Sequence, residues 1–262
     1  HGGQDLMNDH DVDVAVIGAG ATGLYQAALF AQAGLRVALL ERRPEATRHS
    51  RAIGIHPPGL AALDEVAAAK PLLEQGVHVT RGHATAGDAR RGVRQLGTLD
   101  FAATLDGAHR FILTVPQWQT ETVLETRLDA IAPSTLQRGV HVAAWSDDAD
   151  GVTLHLDHGA TLRAGLLVAS TGAQGAAHDT IDARVTGGPY PDTYLMADLP
   201  QTAERFPLAM RGAPGPEEAL IHLAPQGVVE AFPLPGGARR WVVKTPRLHE
   251  PARPDELAAI VR

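Results

Sequence analysis

The chain has 262 residues, 44% of them hydrophobic and 20% charged, the balance of a globular protein with length for one large domain or two smaller ones. Its formal net charge of −7 argues against an extended nucleic-acid footprint, and no apolar run approaches the ~20 residues of a membrane helix, so neither nucleic acid nor a membrane is an expected partner. The lack of cysteine excludes disulfides, thiolate nucleophiles and Cys-ligated metal centres from these residues and fits a cytoplasmic location.

The opening His1–Leu6 reads as residues added ahead of a native Met7. Asp13 to Ile17 is a short buried-strand run. It is followed by a glycine turn and then by a helix in "ATGLYQAALFAQAG", where Leu24, Ala27, Ala28 and Ala31 lie near helical spacing and Gly34 suits the C′ position. "LRVALLE" is the next strand. "HPPGLAALDEVAAAKPLLEQG" predicts a helix from just after Pro57-Pro58 to Gly76. "VPQWQTETVLETRLDAIAPS" predicts another, with Thr120 as its cap and Val123, Leu124, Leu128 and Ile131 on one face. The stretch from Gly139 to Thr171 reads as three strands joined by the polar turns "SDDADG" and "DHGA". Beyond about Val185 the Pro/Gly punctuation predicts antiparallel strands, with a helix beginning in "RPDELAAIVR". The basic pairs Arg42-Arg43, Arg90-Arg91 and Arg239-Arg240 read as solvated faces.

Strand, glycine turn, helix and strand form a βαβ unit of about 30 residues. In Gly18-Ala19-Gly20-Ala21-Thr22-Gly23, Gly18 permits the tight turn, Gly20 lets the backbone approach a pyrophosphate, and Gly23 lets the helix pack on the strands. The helix N-terminus favours the anion. Glu41 ends the second strand, where a carboxylate accepts hydrogen bonds from ribose hydroxyls and repels a 2′-phosphate. The unit therefore predicts a dinucleotide, FAD or NAD rather than NADP, bound by Gly18, Gly20, Ala21, Thr22, Gly23 and Glu41. The thirteen histidines are scattered and form no metal motif, and no Gly-x-Ser-x-Gly elbow is present.

"ERRPEATRHSRAIGIHPPGLAALD" resembles the segment after the second strand in FAD-dependent aromatic hydroxylases of the para-hydroxybenzoate hydroxylase type. The resemblance implies that Arg42 lies near the adenosine and Arg51 by the flavin pyrophosphate and ring, as a positioning group for catalysis. "VPQWQTETVLETRL" is similar to the same family's motif in which a Gln before a helix touches the flavin side of the cofactor, which implies that role for Gln117. "LLVASTGAQGAAHDT" resembles its strand followed by Gly-Ala-Asp-Gly-Ala. Thr171 takes the acidic position, Gly172 matches a glycine, and Gly175 takes the place of a serine. In the family that acid is linked to holding FAD and to productive use of NAD(P)H.

The family also carries a later Gly-Asp motif. Gly87-Asp88-Ala89 has the letters but reads as a surface turn in a polar loop, so the true motif would fall beyond Arg262 and the chain resembles the N-terminal part of a full-length member. "PLPGGARRWVV" resembles a substrate-domain strand, with Phe232, Leu234 and Trp241 as pocket or core residues.

The resemblance implies an α/β fold: a Rossmann-like FAD-binding domain (residues 7–80 and 105–185) with an interleaved α+β substrate domain built on a mainly antiparallel sheet (81–104 and 186–262). The implied activity is monooxygenation, in which NAD(P)H is the transient reductant of FAD and O2 supplies an oxygen atom to an aromatic small molecule, phenolic or polyketide-like. Two other readings stay open. An NAD-dependent dehydrogenase would use the same βαβ unit and Glu41, and a non-catalytic flavin-binding remnant would suit Thr171 and the missing Gly-Asp motif.

Overall fold

A computed structural model gives the fold, and it describes residues 10–48, 52–88, 92–172, 186–188, 190–200, 214–225 and 227–245. The strands and helices in chain order are β1 (Val12–Ile17), α1 (Ala21–Gln32), β2 (Val37–Glu41), β3 (Gly54–Ile55), α2 (Pro57–Glu65), α3 (Ala69–Gln75), β4 (Val77–Val79), β5 (Arg81–Asp88) and β6 (Gly92–Asp100). They continue with α4 (Phe101–Thr104), β7 (Ile112–Thr114), α5 (Gln117–Ile131), β8 (Leu136–Arg138), β9 (Val142–Asp148), β10 (Gly151–Leu156), β11 (Thr161–Ala169), β12 (Thr193–Pro200), β13 (Ala219–Ala224), β14 (Gly227–Leu234) and β15 (Ala238–Thr245).

Two compact units divide the chain. The first draws on His1–Arg51, Leu63–Ala69 and Gln117–Thr186, and the second on Ala52–Ala62, Lys70–Pro116 and Gly187–Arg262. Residues 52–62, 70–80 and 105–116, given to the cofactor side in the sequence reading, thus group with the second unit. The reason is strand pairing, since β7 sits between β3 and β4 in a small sheet of that unit.

The first unit holds a six-stranded sheet in the order β8-β2-β1-β11-β10-β9. β8, β2, β1 and β11 run parallel, while β10 and β9 return antiparallel through the two polar turns read from the sequence. Val14, Ala15 and Val16 of β1 are all buried, as a central parallel strand covered on both faces requires. β2 lies on one side of β1 and β11 on the other, so the chain order reverses at the end of β1. In open α/β sheets that reversal is where ligands bind.

Helix α1 buries Gly23, Leu24, Ala27 and Ala28, and packs on α5, which buries Thr120, Leu124 and Leu128. It ends as the sequence predicts. Gly34, at φ +83°, donates to Ala31 O at 3.0 Å and Leu35 N donates to Phe30 O at 3.2 Å, the paired bonds of a Schellman cap. Thr120 does not cap α5: the helix already begins at Gln117, directly after Pro116, and Thr120 is buried in its interior.

The single helix predicted from just after Pro57-Pro58 to Gly76 is two helices, α2 and α3, the first starting at Pro57 itself. Pro71 would drive its ring into the carbonyl of residue 67 in a continuous helix. The chain instead stops at Ala67, which takes φ +55°, and Ala68 N donates back to Leu63 O at 2.8 Å.

In the second unit a six-stranded sheet runs β12-β15-β14-β13-β5-β6. All neighbours are antiparallel except β13 and β5, which are parallel. Its core clusters Leu195, Leu220, Ala231, Trp241 and Val243, so Trp241 is a core residue, and Leu234 is also buried. Gly87 and Asp88 close β5 rather than lying in a polar loop, and Gly87, at φ +136°, has no room for a Cβ, which would meet Gly92 O. Arg239 and Arg240 do not form a solvated face. Both are buried: Arg240 is bidentate to Asp198 at 2.7 and 2.9 Å across the β12–β15 pair, and Arg239 donates to the carbonyls of Glu218, Ala231, Gly215 and Pro216. The initial residues to Met7, Arg90-Arg91 and the stretch "RPDELAAIVR" lie outside the described residues.

Candidate functional site

Three strand ends meet in the first unit. Gly18 N donates to Leu40 O of β2, and Ser170 N, just past β11, donates to Ile17 O of β1, both at 2.8 Å. Of the three glycines in the turn over these ends, two occupy positions with no room for a Cβ. At Gly18, φ is +97° and a Cβ would lie 2.4 Å from Ser170 O. At Gly23, a Cβ would lie 1.9 Å from Gly18 O. Both are fixed by the chain's own packing.

Gly20 is different. Its φ of −77° suits any residue, and among the described residues a Cβ would meet only Glu121 Oε1 at 3.9 Å. The described residues thus leave the space before Gly20, at the N-cap of α1, open. No side chain caps that helix and no acid lies in its first turn, which contains Ala21 and the exposed Thr22. Free backbone N–H groups and the positive helix end face that space. The donor set fits a pyrophosphate.

Glu41 does more than the sequence predicts. It is 4% exposed, and its Oε2 accepts the Ala19 N–H at 2.8 Å, which ties the glycine turn to the end of β2. Arg43, absent from the sequence reading of the site, donates its backbone N–H and Nε to Oε1, both at 2.9 Å, and Nη2 to Oε2 at 3.3 Å. Burial opposes ionisation of this carboxyl, yet these Arg43 and Ala19 donors hold it down to about 2. A carboxylate has about four acceptor sites, and all are engaged, so a ribose hydroxyl would take the place of an Arg43 N–H. Arg42 is exposed beside them.

On α5, Gln117 Nε2 donates to Glu121 Oε1 at 2.8 Å, and the same carboxylate faces Gly20. Glu121 was not singled out from the sequence, although its position four residues after Gln117 puts the two on one helix face. In the second turn, Ser170 Oγ donates to Gln26 Oε1 of α1 at 2.8 Å, Thr171 is half-buried, and Gly172 takes φ +74°. The structure thus brings Gly18, Gly20, Gly23 and Glu41 together, with Gln117 bonded to the Glu121 that faces Gly20. Arg51, Ala173 and Gly175 lie outside the described residues, while Arg48, near Arg51 in the chain, sits 5.6 Å from the centre of the Trp118 ring. Among the described residues no group of side chains could hold a metal ion, and no helix is long and apolar enough to cross a membrane.

The second unit contains a cavity of about 710 Å3. Ile53, Val79, Leu99, Phe101, Ile112 and Phe232 give it an apolar lining, so Phe232 is a cavity residue. Its polar side chains are His56, His83, Thr98 and Thr114. Thr114 is held by its own bond to Pro233 O at 2.7 Å. This size and lining suit a small organic ligand.

Comparison with known proteins agrees with this geometry. The model of the "FAD binding domain" family matches residues 11–259. The chain is 34% identical over 194 residues to a rifampicin monooxygenase of Streptomyces venezuelae, covering 74% of this chain and 38% of that protein. It is 36% identical over 142 residues to an anhydrotetracycline monooxygenase of Streptomyces rimosus, covering 54% and 26% respectively. The chain therefore spans well under half the length of these curated relatives. The solved structure of p-nitrophenol 4-monooxygenase from Pseudomonas putida shares the fold, with a TM-score of 0.77 at 21% identity over 91% of this chain and 59% of that one. With the glycine turn at the sheet's switch point and a family match over nearly its whole length, the chain belongs to the FAD-dependent aromatic hydroxylase family through its FAD-binding domain.

Proposed function

We propose that the chain is the FAD-binding and substrate-facing part of a monooxygenase that hydroxylates an aromatic small molecule, phenolic or polyketide-like, using NAD(P)H and O2. The observation that carries this reading is the pairing of an open pyrophosphate cradle at Gly20 in one unit with a largely apolar cavity of about 710 Å3 in the other. Relatives named for rifampicin and anhydrotetracycline support a bulky polycyclic substrate.

In this reading the first unit holds the cofactor and the second the substrate. Bound FAD supplies electron acceptance from NAD(P)H and activation of O2. The chain's own residues bind and orient. Backbone N–H groups at Gly20 and Ala21 hold the pyrophosphate, Glu41 receives the ribose, and Gln117 and Arg51 position the flavin side. The apolar cavity walls exclude water around the ring to be oxidised. A cytoplasmic site of action belongs to the same proposal.

The matched family does not favour an NAD-dependent dehydrogenase. Thr171, standing where the resembled motif has an acid, favours a second reading, a chain that binds flavin without turning over. Anaerobic addition of NADPH or NADH to the FAD-loaded protein separates the two. The monooxygenase reading expects flavin bleaching that accelerates with an aromatic effector and, once isotopically labelled O2 is then admitted, one labelled oxygen atom in the product. No bleaching with any phenol or polyketide tried contradicts it.

A further inference from the structure

The sheet face that walls the cavity carries a carboxylate that the proposed function does not use. Glu230 on β14 lies directly opposite Ile221 of β13 on one side and Val242 of β15 on the other. Residues directly opposite on a sheet share a face, with Cβ atoms about 5 Å apart, and so do residues two apart along a strand. Glu230 therefore shares its face with Ile221 and with Phe232, and both of these line the cavity. Met196 of β12 lies opposite Val242 and continues the same face. The carboxylate thus stands among apolar side chains at the border of the cavity.

The chain provides nothing to offset that position. Glu230 is half-buried, and burial pushes its carboxyl up, with no neighbouring charge or donor working the other way. Among the described residues it enters no hydrogen bond or ion pair. The cations of the same face are committed elsewhere. Arg240, opposite Phe232, is bidentate to Asp198, and Lys244, two residues from Val242, has its Nζ 2.6 Å from Asp192 Oδ1. Other withdrawn carboxylates of the chain are supplied with donors: Glu41 by Ala19 and Arg43, and the half-buried Glu218 by Gly215 N and His83. A carboxylate half removed from water without a partner works against folding, so its partner has to come from outside the chain.

We propose that Glu230 binds a protonated amine of the aromatic ligand and so determines which ligands the cavity prefers. The inference rests on reading this cavity as the aromatic site. With the ring system against Ile221 and Phe232, a basic nitrogen on a short arm reaches the carboxylate. An ammonium brings both the positive charge and the N–H donors that the chain withholds, and the hydrogen bond formed is of the strong, charge-assisted kind. No covalent bond changes. A neutral arm gains nothing at Glu230, and an arm ending in a carboxylate is repelled.

The test titrates the FAD-loaded protein by calorimetry at neutral pH with three phenols of similar reach: tyramine, 4-propylphenol and 3-(4-hydroxyphenyl)propionate. Wild-type protein is expected to bind tyramine roughly tenfold more tightly than 4-propylphenol, and the propionate most weakly of the three. Glu230→Gln removes the preference for the amine by weakening tyramine, with 4-propylphenol changed by less than about twofold. Glu230→Asp retains part of the preference. Because Glu230→Gln takes away a charge without a partner, its Tm is expected to be no lower than that of the wild type. Binding of 4-propylphenol with no preference for tyramine, or a preference that survives Glu230→Gln, overturns the role of Glu230 and leaves the cavity reading standing. Failure of all three phenols to bind the wild-type protein overturns the cavity reading and the role of Glu230 with it.

Discussion

Replacing Glu41 by Gln separates its structural role from its ligand role. In the folded chain the carboxylate accepts four hydrogen bonds, from Ala19 N and from three N–H groups of Arg43. Lowering a carboxyl from 4.5 to about 2 corresponds to roughly 3 kcal/mol of preference for the folded state. The Arg43 side chain is 43% exposed and solvent screens its share, so about 2 kcal/mol is the expected net loss in Glu41→Gln. The variant's amide oxygen can still accept the Ala19 N–H, but its NH2 group faces Arg43 donors.

For a chain of this size that loss lowers Tm by about 4–8 °C. The sign follows from the depressed folded value: the contribution is fully present above pH 4.5 and is lost as pH falls toward 2. Urea unfolding of both proteins from neutral to acid pH should therefore show a constant difference above about pH 5 that closes below it. A Glu41→Gln protein within about 0.5 kcal/mol of wild type at neutral pH would refute the reasoning.

Three further outcomes follow from the geometry. Gly20→Ala should fold with unchanged Tm yet bind FAD at least tenfold more weakly by flavin fluorescence, whereas Gly23→Ala should lose folded protein, as a Cβ there meets Gly18 O. Arg239→Leu takes this donor from four carbonyls, that of Ala231 buried and the others on half-buried or exposed residues, and should cost about 2 kcal/mol in urea unfolding, at a site where burial has already drawn the guanidinium down to about 10. Ala67→Gly relieves a left-handed φ of +55° at an exposed position and should stabilise by about 0.5–1 kcal/mol, read as a raised Tm.

The elements legible in the sequence are those whose causes are local. β1 ends in an apolar run from Val14 to Ile17, α1 is bracketed by Gly20 and Gly34, and the β9–β10–β11 meander announces its turns with Asp and Gly. What escaped the sequence depends on distant partners. β5 carries Gly, Ala, Thr and His without a row of large apolar residues, and it is held as a strand by β6 and β13. Arg239 looks like a surface cation until carbonyls from β14 and from the stretch around Gly215 close around it. At the site, the three glycines and Glu41 follow a spacing rule, but the turn from Arg43 back to Glu41 and the position of Glu121 opposite Gly20 are products of folding. Ala67 escaped because nothing in its identity marks a left-handed residue, although Pro71 four residues later excludes the continuous helix.

The account's central claim is that the turn from Gly18 to Gly23 holds FAD. Titration of the apoprotein with FAD and, separately, with NAD+, followed by calorimetry, tests it most directly. The account predicts one saturable FAD site per chain, lost or much weakened in Gly20→Ala, with no comparable NAD+ site. Saturable NAD+ binding with no FAD uptake, or FAD affinity untouched by Gly20→Ala, would contradict it.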